Sequence, residues 1–262
     1  LTGHEGWASG RRDFELYLTH DPDGCFTAWE GGRRIAMLTT TAYPASGWMG
    51  NLIVVPEARS RGVGRALMVH GLARLERAGI RTVRLDGDPP GIPLYRSLGF
   101  ADEWESLRFK AVGVGGGLPP GVEALRAGDL DAVAAFDRAC FGDDRGRMLR
   151  LFLERAERAF AVRHGAGLAG YLLLLRSDLG LRIGPCVAAD ASTAESLLRA
   201  AVAAGEGETV TVGVPAPNPA ALPLLERLGF TPTPSSLRMV RGSRTAAGRL
   251  ENVFAIANGA VG

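Results

Sequence analysis

The sequence predicts an α/β fold built twice: two tandem domains, each a mixed β-sheet flanked by helices. Three observations lead there. The chain resembles itself at an offset near 130 residues, a stretch of five Gly and two Pro (VGVGGGLPPG, 112–121) separates the halves, and each half alternates short apolar strands with helical stripes. Phe26–Ile35 aligns with Phe160–Ala169, and Met49–Val54 with Ile183–Ala188, both at an offset of 134. Thr82-Val83 meets Thr209-Val210 at 127, and Pro93–Phe100 meets Pro223–Phe230 at 130, so the second copy has lost seven residues in one place and gained three in another. The expected organisation is a first domain over 1–111, a linker over 112–121, a second domain over 122–241 and a tail over 242–262.

In the first copy, Phe26–Trp29 and Arg34–Thr41 read as a hairpin turning at Gly31-Gly32. Trp48–Val55 is a continuous apolar run, the pattern of a strand buried on both faces. A helix follows over Val63–Ala78, with Val63, Leu67, Leu72 and Leu75 on one stripe and Gly79 closing it. Val83–Leu85 is a short strand, Ile92–Leu98 a short helix and Leu107–Lys110 a last strand. The second copy opens with a strand at Val122–Arg126 and a helix over Asp129–Cys140. Projecting that strand back by 134 residues places its counterpart before Leu1, so the first copy is expected to lack its first strand.

Charge and composition exclude several classes. The 30 Lys plus Arg residues are almost all arginine, Lys110 being the one lysine, and they are interspersed among 28 Asp plus Glu, which leaves no basic stripe for nucleic acid. The longest apolar run, Tyr171–Leu175, is far below the roughly 18 residues of a spanning helix, so no membrane role is expected. Cys25, Cys140 and Cys186 are widely spaced and odd in number, with four His in the chain; neither a disulfide framework nor a metal site is expected, which suits a reducing cytoplasm.

The segment Val54–Met68 joins a buried strand directly to a helix through glycines and arginines. Such a junction aims unpaired backbone N–H groups and the positive end of the helix dipole at one spot, which favours an anion. Gly62 and Gly64 let an oxygen approach the backbone, while Arg59 and Arg61 add charge-assisted bonds. Tight packing alone is the other reading of such a turn. A dinucleotide fingerprint would need a small residue where Leu67 stands, and a P-loop would need an absent Gly-Lys-Ser/Thr.

Arg59-x-x-Gly62-x-Gly64, preceded by Val55-Pro56, resembles motif A of the GNAT superfamily of acyl-CoA-dependent N-acetyltransferases. Tyr95-x-x-Leu-Gly-Phe100, beginning 31 residues after Gly64, resembles the family's second signature. The likeness covers residues 26–110, and the duplication extends it to about 241. It implies acetyl-CoA as acyl donor, with the amides of Ser60, Arg61, Gly62, Val63, Gly64 and Arg65 on the pyrophosphate, and Arg59 beside them. The end of the strand at Ile53, Val54 and Val55 would pair with the pantetheine arm. Tyr95 would be the general acid that protonates the leaving thiolate, a type of role worth roughly 10²–10⁴-fold; a half-buried helix aromatic is its plain alternative. The family often carries Asn where Asp88 stands, and an acid there does not suit a polyanionic ligand. Trp48–Val55 offers no carboxylate as general base, which leaves Asp86 and Asp88, or solvated loop acids with no role.

The second copy reads as a degenerate GNAT fold. Val187–Glu195 holds neither Gly nor Arg, Leu225 replaces Tyr95, and Asn218 alone matches the family's Asn. Asp137, Asp143 and Arg145 are either an acceptor-binding cluster or a helix cap with an ion pair. His4 and Trp7 lie where GNAT folds place acceptor-contacting helices, and both equally suit packing. The tail Leu250–Ile256 alternates like a strand and is expected to dock on one of the domains. With no Cys or Ser in a nucleophile motif, the expectation is direct transfer of acetyl to an amine acceptor without a metal. A non-catalytic acyl-CoA-binding regulatory module is the alternative, and a scaffold with a protein partner a third.

Overall fold

The computed structural model describes residues 10–243 and 248–262. His4, Trp7 and any strand preceding them lie outside the described residues. The chain forms two compact units. The first comprises Leu1–Glu103, Leu237–Thr245 and Gly259–Gly262; the second comprises Trp104–Ser236 and Ala246–Asn258.

The first unit begins with α1 (Arg11–His20), a helix not expected from the sequence, which buries Asp13, Leu16, Tyr17 and His20 at helical spacing. Strands β1 (Cys25–Glu30) and β2 (Arg33–Ala42) form the expected hairpin, and Gly31 and Gly32 both take positive φ, as a two-residue hairpin turn demands. β2 pairs antiparallel with β3 (Gly47–Val54), which pairs in parallel with β4 (Val83–Gly87). Between them, α2 (Val63–Arg77) buries Leu67, Met68, Leu72 and Leu75 against Leu38 and Met49. Each such side chain stabilises by roughly 1.5–3 kcal/mol. The helix lies so close to the sheet that a Cβ at Gly71 would sit 2.7 Å from the Met49 side chain. α3 (Ile92–Ser97) follows β4.

The sheet of the first unit is completed by Leu237–Arg241, which pair antiparallel with Val83–Gly87. They form the end of β11 (Thr231–Arg241). The expected last strand of the first copy is instead the longer β5 (Ala101–Val112), whose residues 106–112 pair with β10 (Thr209–Pro215) in the second unit. The blocks 1–111 and 122–241 expected from the sequence therefore differ from the compact units by an exchange of last strands. Alternation in a strand specifies which face is buried and says nothing of which neighbour it pairs with.

The second unit contains β5, β6 (Val122–Ala124), α4 (Leu130–Phe141), α5 (Gly146–Arg155), β7 (Ala156–His164), β8 (Gly167–Ser177), β9 (Gly180–Ala188), α6 (Ala191–Ala204), β10 and α7 (Ala221–Arg227). Its strand order is β5-β10-β9-β8-β7-β6, with β12 (Val253–Ala255) paired to β9. The core lies between this sheet and α6, where Leu197, Leu198, Ala200 and Ala201 meet Leu172, Leu174 and Ile183.

Candidate active site

In the first unit, parallel pairing of β3 and β4 stops after Gly47 with Val83 and Trp48 with Arg84. Beyond that point β3 is bent. Asn51 takes φ 54°, the register with β2 shifts between Met37 and Thr39, and Asn51 Nδ2 donates to Thr39 Oγ1 at 2.9 Å, which in turn donates to the Gly50 carbonyl at 3.1 Å. The result is a fork in which, among the described residues, β3 and β4 do not pair with each other beyond Trp48 and Arg84. Val55 N–H is already committed to the Ile35 carbonyl at 2.9 Å, so Val55 cannot donate into the fork. By strand alternation, Val54 faces the opposite way, and its carbonyl accepts from Arg59 Nε at 2.9 Å. Ile53 is buried in the sheet.

The chain leaves β3 through a 3-10 turn at Pro56–Ala58 and enters α2 at Gly62. Ser60 (φ 59°) and Gly62 (φ 82°) are both left-handed, and α2 has no side-chain cap. The first helical bond runs from Ala66 N–H to the Gly62 carbonyl at 2.9 Å, leaving the amides of Val63, Gly64 and Arg65 without intrahelical partners. A Cβ at Gly62 would meet nothing within 4 Å, so the helix end opens on free space; one at Gly64 would make ordinary contacts with Val54 and Leu94. These features fit a bound pyrophosphate. Arg61 forms a two-bond pair with Glu30 at 2.5 and 3.0 Å, which holds the Glu30 carboxyl below its usual range. Arg65 Nη2 donates to Ser97 Oγ at 2.6 Å, tying α2 to α3.

Tyr95 sits on α3 with its ring against the end of β4. A Cβ at Gly87 would lie 3.0 Å from the ring, and one at Gly91 would lie 2.8 Å from the hydroxyl. Burial first, and then the Asp88 charge, push the Tyr95 phenol up to about 12, so it keeps its proton. Asp86 points elsewhere: its side chain is 1% exposed and its Oδ1 accepts from Arg238 Nε. Asp88 is half-buried.

The corresponding places in the second unit are filled by the chain itself. β9 and β10 pair in parallel over Leu181–Ile183 and then part, and β12 occupies the gap. Val253 and Ala255 pair with Val187 and Cys186, while Ile256 N–H donates to the Gly213 carbonyl at 2.8 Å on the other side. Asn218 Nδ2 holds this segment through the Val253 carbonyl at 2.9 Å. At the start of α6, Asp190 accepts from Thr193 N–H and Ser192 Oγ, both at 2.8 Å, so a carboxylate already stands where an anion would bind. Leu225 is fully buried.

The cluster at 137–145 is buried and bonded internally. Arg145 makes two 2.9 Å bonds to Asp137 with both side chains 1% exposed, and Tyr171 donates to the same carboxylate. Asp143 accepts from Asp144 N–H at 2.7 Å. Burial raises all three thiols, Cys25 and Cys140 to about 11 and Cys186 further, so none is poised as a thiolate nucleophile. No group of three or more metal-ligating side chains occurs among the described residues. No helix among them is long and apolar enough to cross a membrane.

Two family profiles match the chain, one described as Acetyltransferase (GNAT) family over residues 4–100 and one as Acetyltransferase (GNAT) domain over 133–255. The chain belongs to the GNAT acetyltransferase family. It carries two GNAT domains, as the duplication and both signatures imply, and is an N-acetyltransferase by family. It is similar to the holothin acyltransferase of Pseudoalteromonas sp. (strain SANK 73390), at 27% identity over 97% of this chain and 86% of that protein. A crystal structure described as an acetyltransferase from Pyrococcus horikoshii superposes with a TM-score of 0.87 and 27% identity, covering 98% of this chain and 88% of that one. A tandem GNAT protein from the clavulanic acid biosynthesis pathway shares the fold, with a TM-score of 0.64, 19% identity and coverage of 92% and 89%.

Sequence reasoning missed four site features of this GNAT chain: the Glu30 partner of Arg61, the bend at Asn51, Arg238 as the partner of Asp86, and the strand that fills the second fork. The polar Asn51 inside the apolar run Trp48–Val55 was the available signal for the bend.

Proposed function

We propose that the chain transfers acetyl from acetyl-CoA directly to an amine, that the first copy does this and that the second copy is catalytically silent. The observation that carries the proposal is the contrast between the two forks. The first opens onto an uncapped helix start with open space at Gly62 and a protonated Tyr95 beside it; the second is closed by β12, Asp190 and Leu225.

When bound, acetyl-CoA supplies an activated acyl thioester. The amides of Val63–Arg65 and the dipole of α2 neutralise its phosphates, and Arg59 and Arg61 add charge once they exchange their internal partners for phosphate oxygens. The edge of β3 at Val54, whose carbonyl Arg59 then releases, orients the pantetheine arm. Tyr95 gives its hydroxyl proton to the departing sulfur; the phenol holds that proton at neutral pH, and burial, by raising its pKa, makes it a weaker acid than a solvent-exposed tyrosine. Asp86, at the end of β4, and Asp88, just after it, are the carboxylates assigned to the proton of the attacking amine. No enzyme nucleophile takes part, in keeping with the protonated thiols. Holothin, the acceptor in the name of a relative aligned over nearly the whole chain, is the first acceptor to try.

Calorimetric titration of acetyl-CoA tests the reading. Micromolar binding that disappears in Gly62→Glu supports it, and a well-folded wild-type protein that takes up no acetyl-CoA overturns it.

A further inference from the structure

The first fork has a second side, and it is covered. Residues Gly259–Gly262 belong to the first unit and lie against the sheet where β3 and β4 part. A Cβ at Gly259 would lie 3.1 Å from Asp86 Cβ and 3.2 Å from Asp86 Oδ2. A Cβ at Gly50 would lie 2.3 Å from that of Ala260. Tyr43 donates its hydroxyl to the Val261 carbonyl at 2.9 Å, and Ala260 and Val261 are buried.

This face is opposite to α2. Gly47 and Met49 point toward the helix, as their contacts with Leu75 and Gly71 show, so Trp48 and Gly50 point away from it. Here Arg238 stacks over the Trp48 ring, 4.3 Å from its centroid, and holds Asp86 Oδ1. Asp86 Oδ2 is buried and accepts no hydrogen bond among the described residues. A desolvated carboxylate oxygen without a donor is expensive, because the lost hydration is not replaced. The segment that shields it from water is what maintains the cost.

We propose that Gly259–Gly262 is a displaceable cover over the acceptor side of the fork, and that Asp86 Oδ2 beneath it is the point at which an N–H donor of the acceptor binds. The proposal rests on the acetyltransferase reading above. Arg238 is the positioning residue: by fixing Oδ1 it turns Oδ2 toward the cover. The seat depends on small residues. Ala260 fits only because position 50 has no side chain, and Gly259 fits because it adds none above Asp86. Displacing the segment exposes Oδ2 either to water or to the amine, and both repay the missing hydrogen bond.

The test uses Gly50→Ala in the full-length protein, whose new methyl would lie 2.3 Å from Ala260 Cβ and 2.5 Å from its Cα. Tyr43→Phe is a milder second variant that removes the hydroxyl bond to Val261. Hydrogen exchange of a peptide spanning 257–262 reads the seat, and CoA release from acetyl-CoA in water, without added amine, reads access to the fork. The expectation is exchange at least about tenfold faster in Gly50→Ala and CoA release raised by about fivefold or more. Both should move the same way, less far, in Tyr43→Phe. Faster exchange without faster CoA release would overturn the cover and make the segment a fixed wall. Unchanged exchange would overturn the seat itself. A wild-type protein that does not bind acetyl-CoA would overturn the acetyltransferase reading and this role with it, a result distinguishable because binding persists in the other two cases.

Discussion

Gly62→Glu separates the fold from the site in one substitution. Gly62 has φ 82°, so any side chain there costs about 1–2 kcal/mol of backbone strain. No atom lies within 4 Å of the new Cβ, so no steric clash is added. A carboxylate at the start of α2 is favourable to the helix dipole by about 0.3–1 kcal/mol, which offsets part of the strain. The folded state is therefore expected to survive, with a melting temperature a few degrees lower. Binding should suffer far more. Two phosphate charges about 5 Å from the carboxylate, at an effective dielectric constant between about 20 and 80, repel it by about 2–7 kcal/mol, or at least about 20-fold in Kd. Gly62→Ala carries the same strain without the charge and should change Kd by less than about tenfold. Titration calorimetry of acetyl-CoA on the three proteins, at low and at high salt, measures the terms separately. Added salt should recover part of the affinity of the Glu variant. An affinity for acetyl-CoA within twofold of wild type in Gly62→Glu would refute the placement of the pyrophosphate at this helix start.

Tyr95→Phe should leave acetyl-CoA affinity intact and lower kcat by about 10²-fold or more; an unaltered rate removes the hydroxyl from the mechanism. Because burial pushes the Tyr95 phenol up to about 12, kcat of the wild-type protein should show no loss from phenol ionisation below about pH 10, and a pH profile to that limit checks it. Asp190→Ala in α6 should cost about 1 kcal/mol of stability at neutral pH. The carboxyl of Asp190 is held below its ordinary value by Thr193 and Ser192, so that stability is present above the unfolded pKa and is lost as the pH falls through the depressed one; denaturant melts from pH 7 to pH 3 should show the two proteins converging. Asp137→Asn strands the buried Arg145 guanidinium and should cost about 3–5 kcal/mol of stability, while the folded fraction still binds acetyl-CoA as wild type does.

The parts legible in the sequence are those where local pattern and tertiary role agree. The stripe of α2, the Gly31-Gly32 turn and the uncapped helix start after the glycines follow from short-range rules of periodicity, φ and helix termini, whereas the roles of the 59–65 loop and of Tyr95 come from the family resemblance. α1 was just as available, since Asp13, Leu16, Tyr17 and His20 recur at helical spacing, but the polar members of that stripe disguise it. The exchange of β5 and β11 was not available, because strand pairing is a long-range choice that alternation within a strand does not specify. Nor was the filling of the second fork. Val253–Ala255 shows the alternation of a strand, and the expectation that it docks is as far as alternation reaches; its partner depends on the gap left where β9 and β10 diverge. Asp86 shows the same limit in a single residue. Read locally it is a loop acid after a strand, and the Arg238 guanidinium that buries it lies 152 positions along the chain.

The central claim is that one of two similar forks binds the acyl donor. Hydrogen exchange of the full-length protein with and without acetyl-CoA tests it at both forks in a single experiment. The account predicts slower exchange over residues 60–66 and at the end of β3, with residues 187–195 unchanged. Protection over 187–195, or no protection at either helix start under saturating acetyl-CoA, would contradict it.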